Sequence, residues 1–113
     1  MWFLMSSLIF LSLILCVLPV HAAWAPAGLE GQDVLALAED PTTATTWYAG
    51  TASGAIYKYT EANPVWTSFS TGLPVGYEVL SISIDSSNPN IVYAGLDGAG
   101  VYKTTDGGAN CSI

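Results

Sequence analysis

The chain has 113 residues, which is enough for one small domain, and its nine acidic against two basic side chains give a formal net charge of −7 at pH 7. This acidic balance argues against binding to nucleic acid or to anionic lipid through charge. Both basic residues are lysines, Lys58 and Lys103, so the chain contains no arginine.

The N-terminal segment, residues 1–22, predicts a signal peptide. Its first 20 residues carry no charged side chain, and its long apolar run ends at Pro19. The small residues that follow allow cleavage after Ala22 or Ala23, so we expect the mature chain to be secreted, extracellular or periplasmic. The alternative is an uncleaved N-terminal anchor, because the start has no lysine or arginine and the apolar run is about long enough to span a bilayer.

After a linker over residues 23–33, the chain repeats itself at one constant step of 45 residues, as from Val34 to Val79. A period of this length is typical of four-stranded propeller blades rather than of helical repeats. We assign residues 34–78 to blade repeat 1 and residues 79–113 to blade repeat 2, which is truncated. The matching segments are 34–37 with 79–82, 47–50 with 92–95, and 56–58 with 101–103.

Within each repeat, runs of β-forming residues alternate with turn residues, and no segment after the signal has convincing helical periodicity. The predicted strands of the first repeat are 33–38, 46–50, 55–60 and 65–69. Those of the second repeat are 79–84, 91–95 and 100–104. The predicted fold class is therefore all-β, with propeller blades of four antiparallel strands, about two blades present and the second incomplete, preceded by a signal helix.

Two blades do not make a closed propeller, since propellers typically contain 4–8 blades. The sequence gives the second repeat no fourth strand before Ile113. We interpret the chain as an N-terminal fragment of a longer exported protein. The alternative is a short chain that completes itself by forming oligomers.

The end of the second repeat carries the residues of a particular turn. Asp106 can accept hydrogen bonds from backbone N–H groups of the turn, and glycines such as Gly108 tolerate positive φ. With Thr104, these residues resemble the Asp-box, also called the bacterial neuraminidase repeat, whose pattern is Ser/Thr-x-Asp-x-Gly-x-x-Trp. Cys111 stands where that pattern has tryptophan.

The first repeat contains a degenerate box at the equivalent positions. Trp66 supplies the tryptophan, and the other three positions are occupied by Tyr59, Glu61 and Asn63. In the family the box is a folding element at the blade periphery. The resemblance therefore implies structural roles for both boxes and gives no catalytic residue.

Residues 32–111 as a whole resemble the Asp-box propellers. That group includes sialidases, sortilin-type receptor domains, xyloglucan-cutting endoglucanases and photosystem II assembly factors, so the resemblance implies a fold rather than one function. A sialidase requires an arginine cluster, which this chain lacks. In the xyloglucan-cutting relatives one catalytic aspartate lies near the N-terminus and its partner lies in a second propeller, so Asp33 would supply at most half of such a pair.

Two function classes follow from this reading. The first is a non-catalytic propeller that serves as a binding or assembly scaffold, with a carbohydrate or a protein as partner. The alternative is the N-terminal piece of a xyloglucan-type glycoside hydrolase, which would use two carboxylates. The candidate carboxylates are Asp33, Glu39, Asp40, Glu61, Glu78, Asp85 and Asp97, of which Asp40 and Asp85 stand beside turn residues and are expected to cap turns.

We expect no cofactor, no metal site and no catalytic residue in the mature chain. Its only histidine, His21, leaves with the signal, which excludes a histidine-based triad and a histidine metal site. Membrane contact is expected only if the signal is retained. The binding feature that stands out is a set of aromatic residues able to stack on sugar rings, for which packing between blades is the favoured interpretation. They are Trp24, Trp47, Tyr57, Tyr59 and Trp66.

Overall fold

The computed structural model describes residues 24–107, and this part of the chain is all-β, as the sequence predicted. The predicted signal peptide lies outside the described residues. Two antiparallel sheets are present, sheet A with strand order β1-β2-β3-β4 and sheet B with order β5-β6-β7. The strands are β1 (Val34–Glu39), β2 (Thr46–Thr51), β3 (Ile56–Thr60), β4 (Asn63–Ser68), β5 (Val79–Ile84), β6 (Val92–Leu96) and β7 (Gly100–Thr104).

The two sheets repeat each other in register as well as in sequence. The pairing of β1 with β2 shifts between Val34 and Ala36, and that of β5 with β6 shifts between Val79 and Ser81. Both irregularities are separated by the 45-residue step. Because a β-bulge bends a strand at a defined place, the two sheets share the same local curvature. The sequence repeat is therefore a structural repeat of one blade-like sheet.

The first hairpin of each sheet is held by an aspartate. The Oδ1 atom of Asp40 accepts hydrogen bonds from the backbone N–H and the hydroxyl of Thr42, both at 2.8 Å. The Oδ1 atom of Asp85 accepts the equivalent pair from Ser87, at 2.8 Å and 2.6 Å. An aspartate that bonds two residues ahead stabilises a turn. The prediction that both aspartates cap turns is confirmed.

The fourth strand of sheet A begins earlier than predicted. β4 starts at Asn63 rather than at residue 65, because the hairpin from β3 is tight and the Asn63 N–H donates to the Thr60 hydroxyl at 3.1 Å. Pro64 is tolerated within this strand because β4 is an edge strand. The 45-residue step maps β4 onto residues 108–113, which lie outside the described residues.

The hydrophobic core lies between the two sheets. Sheet A contributes Tyr48 and Ile56, and β5 lies against β1 and β2 so that Val79 is fully buried. A Cβ atom at Gly50 would lie 2.4 Å from the Val79 Cγ1 atom, so glycine allows this close approach. Burying a valine side chain contributes about 1.5–3 kcal/mol. The remaining core residues are Val92, Ala94 and Leu96.

Each sheet also has a face that lies outside this contact, since side chains alternate between the two faces of a strand. On sheet A we call this the cleft face, defined by Leu37, Trp47, Tyr59 and Trp66. On sheet B we call it the outer face, defined by Ser81, Ser83, Tyr93, Val101 and Lys103. Both faces expose apolar side chains, with Leu37 60% and Val101 62% exposed.

Within residues 24–107, no helix has the length and apolar character needed to cross a bilayer.

Candidate functional site

An open cleft of about 480 Å³ lies on the cleft face of sheet A. β2, β3 and β4 bring its aromatic side chains together, and the segment before β1 closes one side. No residue of this lining is an acid, a lysine or a histidine. The lining residues are Leu37, Trp47, Tyr59, Trp66, Pro26, Ala27 and Pro64.

Strand register positions the three aromatic rings of the cleft. Trp47 and Tyr59 are directly paired residues of β2 and β3, so their side chains leave the sheet on the same face. The rings of Tyr59 and Trp66 have centroids 5.4 Å apart and are tilted by 45°. Such tilted pairs are favourable beyond the area they bury. The three rings therefore form one continuous apolar surface across the strands.

Trp66 is fixed by the segment that precedes β1. Its indole N–H donates to the carbonyl oxygen of Ala27 at 3.0 Å. Gly28 has a φ of 112°, and a Cβ atom there would lie 2.6 Å from the Trp66 Cδ1 atom. Both the backbone angle and the close approach therefore require glycine. The predicted linker thus contains residues that form a wall of the cleft, and sequence reasoning missed this contact because a lone glycine in an irregular segment gives no sign of its partner.

The aromatic rings are the feature through which this cleft can make contacts. Aromatic faces can stack on a sugar ring or pack against apolar side chains. The described residues of the lining include three such rings, those of Trp47, Tyr59 and Trp66.

The structure brings together three of the five aromatic residues that the sequence singled out. Trp47, Tyr59 and Trp66 share the cleft, whereas Tyr57 does not line it. Trp24 is fully exposed. Sequence reasoning named the right residue class, but the grouping depends on strand register and on the fold of residues 24–28.

The predicted box of the second repeat lies at the end of β7. The Thr104 hydroxyl donates to the Asp106 Oδ1 atom at 2.5 Å, and the Asp106 N–H donates to the Thr104 Oγ1 atom at 3.4 Å. The next residue, Gly107, has a φ of 72° and donates its N–H to the carbonyl of Asn90 at 3.0 Å. The other two box positions, Gly108 and Cys111, lie outside the described residues.

The degenerate box of the first repeat is divided between two environments. Tyr59 and Trp66 lie in the cleft. Glu61 and Asn63 lie in the β3–β4 hairpin, where the Glu61 N–H donates to the Thr45 carbonyl at 3.1 Å. The box is therefore the hairpin that carries two of the cleft aromatics, and its structural role stays a prediction.

The carboxylates singled out as hydrolase candidates are not gathered into a cation site. In residues 24–107 no group of three or more His, Cys, Asp or Glu side chains could hold a metal ion. Asp40 and Asp85 are committed to turns. In Asp85, the hydrogen bond from the Ser87 hydroxyl, followed by that from the Ser87 N–H, lowers the pKa of the carboxyl below its ordinary value.

No protein-family model matches the sequence, and no curated protein sequence matches it. Among solved structures, the chain is similar to an ancestral GH74 enzyme with a TM-score of 0.61 and 25% identity, over 73% of this chain and 13% of that one. It is also similar to the GH74 xyloglucanase from Xanthomonas campestris with a TM-score of 0.56 and 20% identity, over 80% of this chain and 15% of that one.

A third solved structure, U3-55K, matches with a TM-score of 0.62 and 12% identity, over 77% of this chain and 27% of that one. The GH74 enzymes contain propellers, and U3-55K is a WD40 propeller. The likeness to proteins this different in sequence concerns the fold. It identifies the two sheets as blades of a β-propeller, and the chain spans a small part of each of these proteins.

Proposed function

We propose that this chain is part of an exported, non-catalytic β-propeller that serves as an assembly scaffold. One observation carries the proposal: each open face of the two blades is the repeat equivalent of a face that is buried between them. A scaffold presents surfaces for packing, and these two faces are built for packing.

The equivalence can be followed through the cleft face. The 45-residue step maps Leu37 onto Ile82, which packs against the core, and Trp47 onto Val92, which belongs to it. Sheet B uses these positions to cover sheet A. The cleft aromatics therefore occupy positions whose counterparts make a blade-to-blade contact, which favours packing over ligand stacking.

The outer face of sheet B likewise corresponds to a buried face of sheet A. Val101 corresponds to Ile56, and Ile56 is buried against sheet B. Tyr93 corresponds to Tyr48, which is 1% exposed in the core. The outer face therefore repeats the side of sheet A that the neighbouring blade covers.

The Asp-box assignment forms part of the proposal. The hydrogen bond between Thr104 and Asp106 is the local closure expected of an Asp-box turn, and Gly107 supplies positive φ beside it. We take both boxes as hairpin-stabilising elements of the blades. They assist folding, and the first box also supplies Tyr59 and Trp66 to the cleft face.

A second candidate function is a part of a polysaccharide hydrolase. Two of the similar structures are GH74 enzymes, and one of them is a xyloglucanase. The cleft with its three aromatic rings is the place where such a chain would hold a sugar. In this case the two catalytic carboxylates would come from elsewhere, since the cleft lining contains no acid.

Binding to xyloglucan and related β-glucans separates the two candidates. The chain by itself is expected to release no reducing ends in either case, because both carboxylates of a hydrolase would come from elsewhere. The scaffold proposal expects no retardation of the purified chain in native gels that contain xyloglucan. Retardation that disappears in Trp47→Ala and remains in Trp24→Ala would favour the hydrolase, because Trp24 lies outside the cleft.

Export is tested on the protein recovered from cells that express the full chain. Mass spectrometry should find a mature N-terminus at Ala23 or Trp24 and place the protein outside the cytoplasm. A recovered chain that still begins at Met1 would contradict cleavage and support the anchored alternative.

A further inference from the structure

We infer that copies of this chain associate head to tail, with the cleft face of one copy packed on the outer face of the next. This inference rests on the proposed scaffold function and names the partner of that scaffold. The contact between sheets A and B inside one chain is the template for the contact between chains.

The internal contact has two unlike sides. Sheet A presents Tyr48, Ile56 and Lys58, and sheet B presents Val92 and its neighbours. The two sides are heterologous, because each side contacts a surface different from itself. Heterologous contacts between copies build rings when the rotation closes.

The outer face repeats the first side at three positions, and serines replace two alanines, with Ser81 and Ser83 at the places of Ala36 and Ala38. Tyr93, Val101 and Lys103 stand where the internal contact has tyrosine, isoleucine and lysine. The side-chain arrangement is repeated too, since the Lys103 Nζ atom lies 5.6 Å from the centre of the Tyr93 ring. One side-chain pair of the covered face is therefore already formed on the outer face.

The cleft face supplies the matching second side. Leu37 takes the place of Ile82, and the Cβ position of Gly50 lies 3.3 Å from the Ile82 Cδ1 atom. The same geometry in an intermolecular contact brings Leu37 of one copy against Gly95 of the next. Trp47 and Tyr59 are larger than their counterparts and add apolar area to this side of the contact.

A second copy fits better than an unrelated partner, because both halves of one contact lie on one chain. Leu37 and Val101 are each more than half exposed in the single chain. Every contact between copies buries Leu37 of one copy and Val101 of the next. Since propellers have 4–8 blades and residues 24–107 of each copy form two sheets, closure by this contact requires two to four copies.

The test measures the mass of the purified full chain in solution by light scattering after size-exclusion chromatography. We expect a closed assembly of two to four copies. Leu37→Glu blocks the cleft face and Val101→Glu blocks the outer face. Both positions are largely exposed, so the variants should keep the circular dichroism of the parent chain and should each be monomeric.

A mixture of the two variants gives the sharpest readout. The Leu37→Glu chain keeps an intact outer face, and the Val101→Glu chain keeps an intact cleft face. An equimolar mixture should therefore form a one-to-one heterodimer, although neither variant associates alone. The control is Val75→Glu, at a 92% exposed position outside both faces, which should assemble like the parent chain.

Three results would overturn the inference: a parent chain that stays monomeric at its highest soluble concentration, association that survives both substitutions, or a mixture that stays monomeric. The last result would show that the cleft face and the outer face do not bind each other, whereas pairing of identical faces would leave one of the two variants associated by itself. Failure of the proposed function has a different readout, because retardation in xyloglucan gels that depends on Trp47 would remove the scaffold role whatever the mass in solution.

Discussion

The ammonium group of Lys58 lies 5.4 Å from the centre of the Tyr48 ring, in the contact between the two sheets. It lies equally close, at 5.4 Å, to the ring of Phe69. The repeat places a second such pair, Lys103 and Tyr93, on the outer face. The two pairs differ in the burial of the ring, since Tyr48 is 1% and Tyr93 38% exposed, so their energetic contributions can be compared.

We predict that Lys58→Met destabilises the fold more than Lys103→Met does. A cation over an aromatic ring contributes about 0.5–1 kcal/mol when exposed and about 2 kcal/mol when shielded from water. Methionine keeps most of the apolar stem and removes the charge. Urea denaturation at a concentration where the chain is monomeric should show a loss of about 1–2 kcal/mol for the first variant. Equal losses would contradict the different environments of the two pairs.

The two glycines at equivalent strand positions should respond differently to alanine. At Gly50 a Cβ atom would lie 2.4 Å from Cγ1 and 2.9 Å from Cβ of the buried Val79, so the sheets must move apart. We expect Gly50→Ala to cost about 1–3 kcal/mol, as overpacked cores do. At Gly95 the new atom meets the Ser81 hydroxyl, which can rotate on the outer face. Thermal unfolding should therefore show a smaller loss for Gly95→Ala.

Gly28→Ala should release Trp66 from the segment before β1. The substitution combines a φ of 112° with a clash against the indole, and a strained backbone costs about 1–3 kcal/mol. We expect faster solvent exchange of the Trp66 indole N–H in NMR spectra. Gly31→Ala is the matched control, because Gly31 also has positive φ but nothing within 4 Å of its Cβ position. Equal exchange in both variants would show that backbone strain alone loosens the segment.

The lowered pKa of Asp85 predicts that this carboxylate contributes to the free energy of unfolding and that the contribution depends on pH. The carboxylate form is stabilised in the folded state, so its contribution is present above the ordinary value of 3.8 and is lost as pH falls through the lower folded value. Ser87→Ala removes the largest cause and should raise the pKa of Asp85 toward 3.8 in an NMR titration. Ser86→Ala, one residue away, should leave it unchanged. An unchanged pKa in Ser87→Ala would assign the shift to the backbone N–H.

Sequence reasoning located the elements of this fold well, because the repeat supplied two readings of each strand. β5 and β7 have the predicted bounds, and β1, β2, β3 and β6 differ by one residue at one or both ends. The larger difference is at β4, where Asn63 and Pro64 looked like turn residues. An edge strand accepts them because only one side of it must supply hydrogen bonds.

The candidate site was predicted only in part. The sequence named Trp47, Tyr59 and Trp66 among five aromatics, and it favoured blade packing as their role. It gave no sign that Ala27 and Gly28 contact Trp66, because that contact joins residues far apart in the chain. Contacts of this kind follow from the path of the backbone rather than from any local pattern.

The sequence by itself determined the repeat unit, since a constant 45-residue step fixes which residues are equivalent, and strand alternation fixes which of them share a face. Only the tertiary structure decided which of the two faces of each sheet is covered. Tyr48 and Tyr93 are the same residue type at equivalent positions, yet one is 1% and the other 38% exposed. The physical reason is that burial depends on the neighbouring sheet, and within residues 24–107 each sheet has its neighbour on one side.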